Sequence, residues 1–154
     1  LKKQVITIQD RTISLIVRAG YGCATAAKLF EIIHENQAKG KKFDHKLYAK
    51  AKESYMQAFL RLNFISAENS TGFHNSTEAG RVLGDSIAFS GKSENLLRQL
   101  IVSAGITLPE KINLDLKKFL TGRGKHKLNF KPQQELKDPY GTQDLFTPGD
   151  IKGL

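Results

Sequence analysis

The constraint that most limits this chain is a row of side chains at helical spacing between two polar turns. Tyr48, Ala51, Tyr55, Phe59 and Leu62 recur at steps of three and four, which places them on one face of an α-helix. Asp44 stands just ahead of that row, where a carboxylate caps the first free N–H groups of a helix. This stripe is expected to be buried against an earlier helix carrying Leu29, Phe30 and Ile33. Tyr48, Tyr55, Phe59 and Leu62 would then share one core with those three residues.

Upstream, Asp10 starts a helix through Ile13, Leu15, Ile16 and Val17 that is expected to stop at Gly20 and Gly22. A second helix opens at Thr25 and ends near Asn36, before a lysine-rich loop. Downstream of Phe64 and Ile65, the stretch Ser66–Thr77 is polar and turn-rich, with Asn69, Ser70, Gly72, Asn75 and Ser76, and reads as two short strands joined by a turn. Ser76 and Thr77 begin another helix, Glu94 to Ser103 forms a further one ending at Gly105, and Asn113 to Leu120 forms the last. From Thr121 the four-residue apolar periodicity disappears and glycines and prolines punctuate the chain. Residues 1–120 are therefore read as a helix-rich domain and 121–154 as a basic, then Pro/Gly-rich, extended tail.

Charge decides the expected partner. Lys and Arg number 24 against 15 Asp and Glu, a net charge of +9, an excess that suits a polyanion. Opposite the apolar stripe, Lys46, Lys50, Ser54, Gln57 and Arg61 form a second face, and Glu53 is the only acid between Lys46 and Arg61. Lys39, Lys41 and Lys42 lead into the same helix. Lys and Arg would meet phosphate oxygens there, while Gln57 and Arg61 would address base edges. A second basic cluster, Lys117, Lys118, Arg123, Lys125 and Lys127, is flanked by Gly122 and Gly124 and reads as a flexible arm on the same nucleic acid.

The order of three helices, a polar two-stranded turn, and then Ser76, Thr77, Gly80 and Leu83 resembles the winged helix-turn-helix superfamily over about residues 10–87. The resemblance implies a mainly α domain with a short β-hairpin wing, extra C-terminal helices and an extended tail. It also implies nucleic-acid binding, with duplex DNA preferred to RNA, by a non-catalytic subunit of a larger assembly. Two alternatives stay open. One is a winged-helix protein-interaction subunit of a chromosome-organising or genome-defence complex. The other is the DNA-specificity part of a restriction-type nuclease.

Catalytic signals are weak. Asp115-x-Lys117 and Glu135-x-Lys137 match a nuclease fragment but lack the partner acid that metal-dependent cleavage requires. His34-Glu35 lacks the second histidine of a zinc-protease helix, and Gly20-Tyr21-Gly22 lacks the rest of a phosphate loop. His34, His45 and His74 are read as surface or capping residues, and Cys23 as a small buried side chain. No catalytic residue, metal or cofactor is expected, nor a membrane span. With one cysteine and no leader pattern, the expected setting is the reducing cytoplasm. Residues 128–154 are expected to contact a second copy or a partner protein.

Overall fold

The computed structural model describes residues 2–114, which form three helices: α1 (Lys2–Ala38), α2 (His45–Ser66) and α3 (Ser76–Ser103). The mainly α expectation stands. The β-hairpin wing does not, because the described residues contain no strand and 67–75 is a turn between α2 and α3. The basic cluster at 117–127, the tail after 120, the boundary placed there and most of the last expected helix lie outside the described residues.

α1 runs unbroken for 37 residues through Gly20 and Gly22. A helical glycine costs only about 1 kcal/mol relative to alanine, which packing can offset. At Gly22 the packing requires it: a Cβ there would lie 2.3 Å from Ser90 Oγ and 2.9 Å from Ser90 Cβ. α2 begins where Asp44 accepts from the N–H groups of Lys46 (2.8 Å) and Leu47 (3.0 Å), and those bonds hold its carboxyl below the usual range. α3 is one helix where two were expected, capped by the Asn75 side chain, which accepts from Glu78 N–H at 3.1 Å.

Pairings fix the directions. Gly72 approaches Thr12, Gly22 meets Ser90, and Lys41 Nζ donates to the Ala104 carbonyl at 3.1 Å, so α1 and α3 run parallel. Ser86 Oγ donates to the Ala58 carbonyl (2.8 Å) and Ser93 Oγ to the Ala51 carbonyl (2.9 Å), so α2 runs against α3. The buried positions repeat every seven residues: Thr12, Ala19, Ala26 and Ile33 on α1; Ala51, Ala58 and Ile65 on α2; Ala79, Ser86, Ser93 and Leu100 on α3. A seven-residue spacing keeps one face of each helix turned to its neighbours along the whole contact.

Most of these residues are small, so the backbones approach closely enough for serine hydroxyls to reach carbonyls on the facing helix. A serine band, Ser54, Ser86 and Ser90, separates two apolar clusters. One holds Leu29, Ile33, Leu97, Leu100 and Ile101, and the other holds Ala19, Ile65, Val82 and Leu83.

This seam rotates α2 away from the expected orientation. The deepest positions are Ala51, Ser54 and Ala58, whereas Tyr48, Tyr55 and Leu62 are half-buried and Phe59 is 39% exposed. Ser54, placed on the polar face from the sequence, is buried. Ala51 is buried as expected, but from it the buried set runs through 54 and 58 in place of 55 and 59, so the face is turned by less than the roughly 100° that one residue spans. Close packing of small side chains selected the face, and the aromatics were left at its flank.

Candidate functional site

The expected cationic face is dispersed by the structure. Lys39, Lys41, Lys42, Lys46 and Lys50 are exposed around the α1–α2 turn and the start of α2. Gln57 and Arg61 face α3 instead. The Arg61 guanidinium donates to Gln57 Oε1 (2.6 Å) and to the Gln57 carbonyl (2.9 Å), and lies 4.7 Å from the Phe89 ring centroid and 4.0 Å from Asp85. These contacts tie α2 to α3.

The chain's most organised polar feature is one the sequence reading took for a wing. Between α2 and α3 the backbone is folded around a single carboxylate. Glu68 accepts from Ser70 N–H (2.9 Å), Ser70 Oγ–H (2.6 Å) and Gly72 N–H (2.9 Å). Those three donors, the Ser70 hydroxyl foremost, bring the Glu68 carboxyl down to about 2. Ser70 Oγ in turn accepts from His74 N–H at 3.2 Å, and Gln9 on α1 donates to the Ser70 carbonyl at 3.2 Å. Thr71 and Gly72 both take left-handed φ, at 52° and 76°. A Cβ at 72 would sit 2.5 Å from Thr12 Oγ1, so the turn is seated on α1 by a residue that must be glycine.

That frame displays an imidazole. The His74 side chain is 75% exposed, with its Nδ1 3.9 Å from Glu68 Oε1 and its ring beside Phe73. That separation is too long for a hydrogen bond, and the Glu68 carboxylate is already taken by Ser70 and Gly72, so what Glu68 fixes is the turn's backbone, on which the imidazole stands exposed. The other described histidines differ. His34 Nε2 is engaged by the Tyr48 hydroxyl at 2.9 Å, and His45 has no side-chain hydrogen bond among the described residues. Among the described residues no group of three or more His, Cys, Asp or Glu side chains could hold a metal ion alone. None of their helices is long and apolar enough to cross a membrane.

A second feature lies at the far end of the bundle. There α1 and α2 enclose an open cavity of about 400 Å³ walled by Phe30, Tyr48 and Tyr55. Phe30 meets Tyr48 and Tyr55 edge-on, with ring centroids 5.5 and 5.6 Å apart.

The described residues are a parallel–antiparallel set of three long helices with an exposed histidine on the turn between α2 and α3. Comparison with known proteins identifies it further. The cytochrome c552 family matches residues 1–145, and the chain belongs to that family. The cytochrome c nitrite reductase subunit NrfA of Nitratidesulfovibrio vulgaris (strain Hildenborough) is 34% identical over 97 residues, covering 62% of this chain and 18% of that protein. The chain therefore spans under a fifth of the relative's length. Membership of a cytochrome family overturns both the winged-helix assignment and the nucleic-acid partner inferred from charge.

The residues fit one mode of haem binding and exclude another. Covalent c-type attachment uses a C-x-x-C-H run. This sequence has a single cysteine, Cys23, followed by Ala24, Thr25, Ala26 and Ala27. Its thiol is buried between helices, where desolvation pushes it up to about 11. These 154 residues therefore contain no covalent haem attachment site. A haem could still be held by an exposed imidazole, and His74 offers one. The sequence reading passed over His74 because its lone position between two turns carries no ligand spacing. The signal was Glu68 placed six residues before it, among Ser and Gly.

Proposed function

We propose that this chain is the helical scaffold of a cytochrome c nitrite reductase-like electron-transfer protein. In this reading His74 would be the imidazole that holds a haem whose covalent attachment is made by residues other than these 154. The observation that carries the reading is the Glu68-centred turn, which fixes the backbone at His74 while leaving the ring exposed, in a chain of a cytochrome family. A haem bound there would supply one-electron chemistry. The chain's own part would be to hold the backbone at His74 and to leave its imidazole exposed. Helices packed through small residues suit that task, because a close-packed scaffold holds a ligand against drift.

A ferric haem peptide with one open axial position tests the reading. Added to the chain, it should convert from the high-spin to the low-spin visible spectrum. His74→Ala should abolish the conversion and His34→Ala should leave it intact. Equal conversion by the His74→Ala variant would refute the assignment. After denaturation in pyridine, chain produced in a host that matures c-type cytochromes should carry no covalently bound haem.

A further inference from the structure

The aromatic cavity lies at the opposite end of the bundle from His74 and plays no part in the haem reading. Its walls are rigid. Phe30 is wedged edge-on between Tyr48 and Tyr55, Tyr55 stacks on Phe59 at 5.8 Å, and the Tyr48 hydroxyl is tied to His34 Nε2. At about 400 Å³ it falls in the size range of small-molecule sites and would hold a fused pair of rings.

The charges on its rim are unequal. Glu31 is paired with Lys28 at 2.7 Å, whereas Lys52 makes no ion pair among the described residues. An aromatic box alone would also suit a cation. Here the unpaired lysine at the rim opposes one and favours a single negative charge. The walls between these polar groups are the faces of Phe30, Tyr48 and Tyr55 with Met56, which favours a flat apolar ring system over a sugar.

We propose that this cavity binds a small planar aromatic monocarboxylate, with its ring against Phe30, Tyr48 and Tyr55 and its carboxylate on Lys52. Edge and offset contacts with three rings supply most of the affinity, and the ammonium sets the preference for an anion.

Calorimetric titration of the chain with naphthoate, and in parallel with the uncharged naphthylmethanol, tests it. Naphthoate should bind with a Kd on the order of 0.1–1 mM, as expected for a ligand of that size. Naphthylmethanol should bind several-fold more weakly. Lys52→Gln should weaken naphthoate about fivefold, near the upper end for a partly solvated ion pair, and leave naphthylmethanol unchanged. Ala27→Leu, which fills the cavity from α1, should weaken both. No heat at several millimolar naphthoate, equal affinity for the two probes, or indifference to Lys52→Gln would each overturn the proposal. Neither variant touches the His74 turn, so the haem-peptide titration should be unchanged in both, and the two readings fail separately.

Discussion

Replacing Gly22 by alanine tests the packing that positions everything else. In an open helix the change would stabilise by about 1 kcal/mol, because alanine is the better helix former. At 22 the new Cβ would overlap Ser90, 2.3 Å from its Oγ and 2.9 Å from its Cβ. The hydroxyl could rotate away, but the Ser90 Cβ is fixed to the α3 backbone, so α1 and α3 would have to separate. Overpacking of this kind costs roughly 1–3 kcal/mol, and the parting helices would also strain neighbouring buried contacts at Ala19 and Ala26. The net result should be a loss of up to about 2 kcal/mol after the propensity gain is subtracted. Gly20, two residues away with nothing within 4 Å of its Cβ position, is the internal control. Gly20→Ala should stabilise by up to about 1 kcal/mol. Chemical denaturation followed by helical circular dichroism reads both, and Ser90→Gly should relieve the defect of Gly22→Ala. If Gly20→Ala and Gly22→Ala shift the midpoint alike, the close α1–α3 approach is wrong.

Two further outcomes follow from titrating groups. The Glu68 carboxyl, held at about 2 against an ordinary 4.5, contributes stability that is fully present above pH 4.5 and is lost as the pH falls through about 2. Thermal melts from pH 6 to pH 2 should therefore show Glu68→Gln less stable than the parent at pH 6, with the two converging in acid, and a constant gap would contradict the turn's wiring. The Cys23 thiol, raised from 9.0 to about 11, should react with a thiol reagent at pH 8 roughly 100-fold more slowly than a free cysteine until the bundle is unfolded; rapid labelling of the folded chain would show the α1–α3 seam to be open.

The helix at Asp44, the helix start at Ser76 and the stop at Gly105 were legible because capping is local chemistry. Three features were not, each for a tertiary reason. Gly20 and Gly22 look like a helix end, but the need for Gly22 to admit Ser90 is visible only once α3 is in place. The largest side chains of α2 suggested its buried face, whereas Ala51, Ser54 and Ala58 occupy it because serine–carbonyl bonds require close backbones. The polar stretch 66–77 has turn composition without strand pairing, since one carboxylate gathers its N–H groups.

The functional misreading has a related origin. A net charge of +9 describes a whole surface and not a partner. A cytochrome-family chain without a C-x-x-C-H run conceals its usual signature, and Arg61, which completed the cationic stripe on paper, is turned onto Phe89 and Gln57. His74 stands apart only in three dimensions, on a turn whose backbone N–H groups one carboxylate gathers.

The most direct measurement of the central claim is nitrogen NMR of the chain with its histidine rings isotopically labelled, recorded before and after adding the ferrous haem peptide, whose iron becomes low-spin and diamagnetic only once a second imidazole fills its open position. The account predicts that one ring nitrogen of His74 moves to the position of a metal-bound nitrogen, while the His34 and His45 rings do not change. Movement of His34 or His45 in place of His74, or no movement of any ring, would contradict it.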